Sequence, residues 1–248
     1  MEPKNIPNPG FADDDGTADP RLASALEEWA RRPAEEPALL AALTPSRLMV
    51  PIVALLGEVE TGADGLRHEK TSDMAVPVIE AADGRRALPA FTSLATMARW
   101  RADARPAPVA APQAAMVAFA ERADTLLIDP AGPVSYRLSG ARLRALAENR
   151  PYRPPVEDPD VREAVRAVLA AEPAVVAAHL RPAVGVDGVL ALVLEPETAY
   201  GDGARAFFER LAGTLAADPV LRVRMDGGLE MAMLAPGTEL SGEPFYRR

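Results

Sequence analysis

The spacing of apolar residues along the chain changes several times, and each change predicts a different element. Residues 1–19 show no apolar period, so we expect a disordered arm there. A helix is predicted to begin at Pro20. Its apolar residues Leu22, Leu26 and Trp29 are separated by four and three positions and therefore share one face. The folded part of the chain is thus expected to start with an amphipathic helix.

Strand-like runs follow this helix. The segment RLMVPIVALLGEV, which starts at Arg47, has the composition of a strand, and Pro51 within it indicates an edge position or a bulge. The segment MAVPVIEAADGRRALPAF is typical of two strands joined through Asp83-Gly84, a pair that favours a hairpin turn. DTLLID and VSYRL are predicted to be further strands. Helices are predicted to begin at Pro112 and after Ser139.

The stretch LPAFTSLATMARWR is the junction between a strand and a short helix. We expect Thr92 or Ser93 to accept hydrogen bonds from the first N–H groups of that helix. Met97 and Trp100 lie three residues apart, so they share one helix face and are expected to pack on the sheet. The pattern of this junction is therefore explained by folding, without a substrate.

A proline-rich segment divides the chain. NRPYRPPVEDP contains four prolines in eleven residues, which prevents a continuous helix or a central strand. We predict a domain over residues 20–150, a linker over 151–157 and a second domain over 158–240. The predicted fold class is α/β (α+β), with two domains that each pack helices on a mixed or antiparallel sheet.

The second domain is predicted to have the order αββαββ. Its helices begin at Asp158-Pro159 and near Asp202, and its strands are AVVAAHL, VLALVLE, VLRVRM and LEMAML. In VLRVRM the apolar residues alternate with Arg222 and Arg224, which predicts a strand with one polar face. An antiparallel sheet with helices on one face is the expected result.

Composition narrows the possible functions. The 248 residues carry a formal net charge of −9, which disfavours nucleic-acid binding and favours a partner protein with a basic surface. The chain has no cysteine, which excludes disulfides, thiol catalysis and cysteine-ligated metals. No apolar run reaches the length of a membrane span. We expect a cytoplasmic protein, and the bias towards Ala, Arg, Pro, Gly and Val is typical of a high-GC bacterial genome.

Two histidines are the candidates for acid–base or metal chemistry. His68 lies in a polar loop predicted over Glu60–Asp73, where it could act as a general base or a metal ligand. The nearby carboxylates are Asp64, Glu69 and Asp73. A solvated loop explains the same residues without any chemistry. His179 lies in the predicted strand AVVAAHL and is expected to be a core or sheet-face residue.

Other patterns do not amount to a site. GDGARA, residues 201–206, superficially matches a dinucleotide-binding loop, but no strand directly precedes it, so a flexible helix start is the better interpretation. The carboxylate groups Glu35-Glu36 and Asp13-Asp14-Asp15 fall in polar connectors. No P-loop, nucleophile elbow or His-Glu-x-x-His helix is present. We therefore predict no catalytic, cofactor-binding or metal-binding residue, and no cofactor.

Three of these segments resemble a known family. SRLMVPIV, LPAFTSLATMARWR and DTLLIDPAGPVSYRLSGARLRAL are similar to the N-terminal domain of the bacterial SseB family, over about residues 20–150. Residues from about 158 to 235 resemble, more weakly, the C-terminal domain that accompanies it. Asp129 stands where the family pattern often has Asn, and both residues suit a turn. The resemblance implies a regulatory protein and no catalytic residues.

Three functional hypotheses remain. The first is a non-catalytic regulatory or protein-interaction module whose partner is a protein of unknown identity. The second is a sensor that binds an amino acid or similar metabolite between the domains. The third is an enzyme that uses His68 with one of the neighbouring carboxylates. Turnover that depends on His68 would favour the third hypothesis over the first.

Overall fold

The computed structural model describes residues 11, 14–56, 59–61, 67–69, 72–183, 186–201, 203–235, 238 and 242–248, with the backbone alone within 54–74. Contacts between residues divide the chain into two units, Met1–Tyr152 and Arg153–Arg248. The division falls at the start of the proline-rich segment. Helices and strands occur in both units, and the predicted mixed α/β fold class is confirmed.

The first unit contains two kinds of element. Its helices are α1 (Pro20–Arg31), a 3-10 turn (Pro33–Glu35), α2 (Glu36–Leu43), α3 (Leu94–Trp100), α4 (Ala111–Ala120) and α5 (Gly140–Ala147). Its strands are β1 (Arg47–Leu56), β2 (Val59–Thr61), β3 (Arg67–Glu69), β4 (Ser72–Ala75), β5 (Ile79–Glu80), β6 (Arg86–Ala90), β7 (Arg105–Ala110), β8 (Thr125–Ile128) and β9 (Tyr136–Ser139).

Two of the sheets in the first unit are joined by a β-bridge between Met49 and Phe91. The order β5-β6-β8-β9 contains a parallel pair, β6 and β8, and antiparallel neighbours on either side. Strand β1 pairs antiparallel with β7 and with β4, and Met49 also pairs with Phe91 just after β6. Pro51 is therefore not on an edge strand. It lies between Met49, which pairs with Phe91, and Val53, where the pairing with β4 starts. The proline therefore lacks an N–H at a position where no strand-to-strand hydrogen bond requires one.

The core of the first unit lies on one face of these strands. Leucines 88, 126 and 138 of the strands are completely buried against α1, α2, α4 and α5. Burial of each such side chain stabilises the fold by about 1.5–3 kcal/mol. Helix α3 packs on the other face, where Met97 joins Met49 and Phe91, and the Trp100 ring lies 5.4 Å from the Phe91 ring. The predicted packing of Met97 and Trp100 on the sheet is confirmed.

The polar segment Glu60–Asp73 is not a plain loop. Strands β2 and β3 pair antiparallel within it, with Glu60 opposite His68, and β4 begins at Ser72. Residues 62–66 and 70–71, Asp64 among them, lie outside the described part of the chain. The prediction of a continuous loop was therefore wrong for the described backbone, because short polar runs can still pair when a neighbouring strand supplies hydrogen-bond partners.

The second unit has a different order from the predicted one. Its helices are α6 (Pro159–Ala170), α7 (Pro196–Ala199), α8 (Ala204–Ala217) and α9 (Pro219–Arg224), and its strands are β10 (Val175–Arg181), β11 (Gly188–Leu194), β12 (Leu229–Met233) and β13 (Tyr246–Arg247). The sheet order is β12-β11-β10-β13. Strand β12 runs parallel to β11, and the other pairs are antiparallel.

The segment VLRVRM is a helix, so the predicted strand and the αββαββ order were wrong. The Asp218 carboxylate accepts the N–H groups of Val220 and Leu221 at 2.8 and 3.0 Å, and Pro219 occupies the first helical turn. These start signals outweigh the alternation of apolar residues. Because α9 replaces the expected strand, β12 has no hairpin partner and pairs in parallel with β11.

The C-terminal tail closes the other edge of this sheet. Strand β13 pairs with Ala177 and Ala178 of β10. The Phe245 ring just before it is contacted by the guanidinium groups of Arg162 and Arg166, both 4.7 Å from the ring centroid. The tail is thus held by two cation–π contacts as well as by backbone pairing.

Replacing Phe245 by alanine should lower the free energy of unfolding of the second unit by about 1–3 kcal/mol, because both cation–π contacts and the ring's packing are lost. Amide hydrogen exchange of β10 would measure the loss. Tyr200→Ala is the matched control, since its ring is 71% exposed. An effect of Phe245→Ala no larger than that of Tyr200→Ala would contradict the prediction.

Candidate functional site

The open edge of β12 is the first feature with binding chemistry. Among the described residues, no strand pairs with the side of β12 that faces away from β11. The Leu234 N–H donates to the Leu192 carbonyl, so the alternate backbone groups of Met231 and Met233 point to the open side. An unpaired row of N–H and C=O groups can accept a further strand.

An apolar groove continues the sheet's helix-covered face beyond this edge. Its volume is about 310 Å³, and its walls come from α8, α9 and β12. The apolar lining residues are Ala212, Leu215, Ala216, Leu221, Met225, Leu229 and Met231. Helices α8 and α9 therefore present apolar surface next to the position that an added strand would occupy.

A carboxylate fixes the turn that leads into β12. The Asp187 Oδ2 atom accepts the N–H groups of Asp226, Gly227 and Gly228 at 2.8, 2.7 and 2.8 Å. A Cβ atom at Gly227 would approach the Val186 Cα atom to 3.2 Å, a tight contact that disfavours a larger residue there. The start of β12 is thus tied to the β10–β11 turn, and its edge has a defined position.

The side chains of β12 differ in charge and exposure. Glu230 is exposed and is the one charged residue of the strand, whereas Leu229 and Met231 are partly buried against the core. Met233 at the end of the strand is 45% exposed. A strand paired here would meet a carboxylate on one face and the apolar groove on the other.

A second polar cluster lies in the first unit, after the ends of the parallel strands β6 and β8. Buried Asp129 accepts the Thr92 N–H at 2.9 Å and the Thr92 hydroxyl at 2.6 Å. Ser93 caps α3 and accepts the Thr96 N–H at 3.1 Å. Of the two predicted caps, Ser93 is confirmed, and Thr92 serves the Asp129 turn instead.

Arg47 joins this cluster to residues that precede α1. Its guanidinium donates from Nε and Nη2 to the two Asp14 oxygens, at 2.5 and 2.8 Å, and also to the carbonyls of Thr17 and Thr92. The Leu94 N–H donates to the Gly16 carbonyl at 2.9 Å. Residues 14–17, hereafter the strap, therefore lie fixed on the first unit, in contrast to the disordered arm expected over 1–19.

We expect residues 14–17, the strap, to detach from the rest of the first unit at acidic pH. The hydrogen bond from Arg47, aided by the Gly16 N–H, holds the Asp14 pKa below its usual 3.8 despite an opposing effect of burial. A depressed pKa means that the stabilisation is complete above about pH 4 and is lost as the pH falls through the folded-state value. Exchange of the Leu94 amide, compared at about pH 5 and about pH 3, should rise relative to core amides. Asp14→Ala should abolish that pH step, and Asp15→Ala should retain it.

The residues singled out in the sequence do not converge on a site in the described structure. His68 and Glu69 lie in β3 and Asp73 in β4, and their side chains are outside the description. His179 is buried in β10, opposite Ala191, as expected for a sheet residue. GDGARA leads into α8, which begins at Ala204. No group of three or more possible metal ligands occurs among the described residues.

A known protein family matches the sequence of the first unit. The model of the SseB protein N-terminal domain matches residues 22–145, from α1 to α5. The chain belongs to the SseB family. No curated protein and no solved structure matches it. The SseB domain thus includes the Thr92–Asp129 cluster, while the β12 groove lies beyond the matched residues.

The β12 edge was missed in the sequence for an identifiable reason. Once VLRVRM is assigned to a strand, LEMAML becomes its hairpin partner, and the strand order of the sheet stays open. The signal that could have corrected this is Asp218-Pro219, which is a helix start of the same kind as Asp19-Pro20 and Asp158-Pro159. No helix in the described part of the SseB chain is long and apolar enough to cross a membrane.

Proposed function

We propose that this SseB protein is a non-catalytic protein-interaction module, and that a partner adds an extended segment to the open edge of β12. The observation that carries the proposal is the unpaired edge beside an apolar groove of about 310 Å³. Strand addition draws affinity from backbone hydrogen bonds and specificity from alternate side chains that enter a groove.

The chemistry of the surface selects the partner segment. Apolar residues at alternate positions would enter the groove beside Leu221 and Met225. Residues on the opposite face would lie across from Glu230, where lysine or arginine forms a favourable cross-strand pair. The net charge of −9 also attracts a basic partner over longer distances. The occupant is therefore a basic, amphipathic, extended segment of another protein.

A regulatory role in the cytoplasm completes the proposal. Strand addition requires no reaction, so the module can act by occupying or presenting a segment of its partner. A chain without cysteine is compatible with a reducing compartment.

Met233→Pro and Met233→Ala form the decisive pair of variants. Both remove an exposed side chain, but only proline removes the N–H that points to the open edge. The N–H groups that bond to β11 belong to the alternate residues, so the proline leaves that pairing intact. Proteins captured from cells by the wild-type chain would be identified, and their basic amphipathic segments synthesised as peptides for titration.

A supporting peptide should bind wild type and Met233→Ala alike and Met233→Pro about three- to tenfold more weakly, the equivalent of one lost hydrogen bond. Glu230→Lys should weaken the same peptide, and added salt should reduce the difference. Equal binding to the proline and alanine variants, or amide shifts confined to other surfaces, would contradict strand addition at β12.

A further inference from the structure

An open groove in the first unit runs beside Arg47 and has the composition of a ligand site. Its volume is about 560 Å³, within the range of small-molecule pockets. Its walls combine the apolar residues Phe11, Ala18, Pro20 and Pro45 with the polar or charged residues Thr17, Asp19, Arg21, Ser46 and Arg47, so two arginines face one carboxylate in the lining. A ligand with an apolar body and a negative group would meet complementary surface there.

Arg47 already binds a carboxylate in the folded chain. The fork of its Nε and Nη2 atoms holds both Asp14 oxygens, which is the bidentate geometry typical of carboxylate recognition. The side chains of Arg47 and Asp14 are only 12% and 13% exposed. Its Nη1 atom donates to the Thr92 carbonyl and its Nη2 atom donates also to the Thr17 carbonyl, so the guanidinium is oriented by the backbone after β6 and by the strap itself.

The strap that supplies this carboxylate is held by few other interactions. Gly16 has φ +78° and lies against Leu94, where a side chain would come within 2.3 Å of the Leu94 Cδ1 atom. Among the described residues, the hydrogen bonds that join the strap to later residues of the unit are those of Arg47 and the Gly16–Leu94 bond, beside this close approach. When the strap moves away, the Arg47 fork and the Leu94 N–H become available together.

The position of this site in the fold favours ligand binding. Thr92 and Asp129 follow the carboxyl ends of the parallel strands β6 and β8, and Arg47 reaches the same edge from β1. Open α/β sheets bind ligands outside the carboxyl ends of their parallel strands. The strap lies over that edge.

We propose that the groove beside Arg47 binds a small carboxylic acid with an apolar body, and that Asp14 is an internal ligand which this carboxylate displaces. The incoming carboxylate takes the two Arg47 bonds, its body lies between Pro20 and Pro45, and Arg21 adds positive charge at the groove wall. Because the internal carboxylate keeps most sites closed, removing it raises the apparent affinity.

Phenylacetate is a suitable probe, and phenylacetamide is its neutral control of the same shape. In the full chain, Asp14→Ala should bind phenylacetate at least about tenfold more tightly than wild type, with saturable shifts of the Leu94 amide. Asp15→Ala is the matched control, because the Asp15 carboxylate is bonded to Thr17 and makes no bond to Arg47. Its affinity should equal that of wild type.

Two further variants keep the test decisive. Gly16→Ala should open the strap by backbone strain and raise the affinity in the same way, with Asp14 still present. Arg21→Gln should weaken phenylacetate and leave folding unchanged. Equal affinity of wild type and Asp14→Ala, or equal binding of phenylacetate and phenylacetamide, would overturn the proposal. Binding at β12 is tested in a separate unit with other variants, so the two proposals fail independently.

Discussion

Asp129→Ala is expected to lower the free energy of unfolding of the first unit by about 3 kcal/mol. The Thr92 N–H and hydroxyl would both lose their acceptor in a buried position, and each unpaired buried polar group costs about 1–3 kcal/mol. Alanine must also adopt φ +49°, a left-handed conformation that aspartate and asparagine tolerate better.

Fluorescence-detected urea unfolding measures this effect on the first unit alone, because both tryptophans, Trp29 and Trp100, belong to it. Asp129→Asn should cost much less, since an amide oxygen can still accept one bond and asparagine suits the same φ. Asp103→Ala is the matched control in the same unit, because its side chain is 73% exposed and its carboxylate accepts from the exposed Arg101. A loss below about 1 kcal/mol for Asp129→Ala would contradict the prediction.

Asp158→Ala should destabilise the second unit by about 3 kcal/mol. Asp158 is 3% exposed and caps α6 by accepting the Asp160 N–H at 2.9 Å. Its other oxygen accepts from Arg224 Nη1 at 2.7 Å, which ties the start of α6 to the end of α9. Loss of an N-cap costs about 1 kcal/mol, and removing one partner of a buried ion pair costs more.

Asp160→Ala supplies the control for this variant. Asp160 contacts the same Arg224 at 2.5 Å, but its side chain is 59% exposed, so its removal should cost less than about 1 kcal/mol. Amide exchange of α6 and α9 measures both variants, and tryptophan fluorescence should not change in either. Equal losses for Asp158→Ala and Asp160→Ala would show that the buried pair contributes no more than a surface pair.

Local start signals were sufficient to predict several elements. Asp19-Pro20 and Asp158-Pro159 mark helices because the side chain and the proline satisfy the first turn without help from the rest of the fold. The Asp83-Gly84 turn between β5 and β6 was predicted for a similar reason, since Gly84 has φ +80°. Ser139 occupies the expected N-cap of α5 but makes no side-chain bond there.

The β12 groove depended on contacts that no local pattern encodes. The alternation in VLRVRM suits a strand as well as a helix that buries only Leu221, and packing against α6 and α8 decides between them. The parallel pairing of β12 with β11 joins residues about forty positions apart, for example Gly188 with Leu229. The groove exists only because α9 forms a helix and β12 pairs in parallel with β11.

The sequence by itself determined the α/β class, the SseB-like pattern and most helix starts, because these rest on periodicity and on residues that act within one turn. Only the tertiary structure decided that Asp14 lies on Arg47, thirty-three positions away, and that β12 has an open edge. The local sequence around a charged residue in a polar connector does not indicate which residue it pairs with in the folded chain. Long-range pairing of this kind is fixed by the free energy of the whole fold, which no short segment specifies.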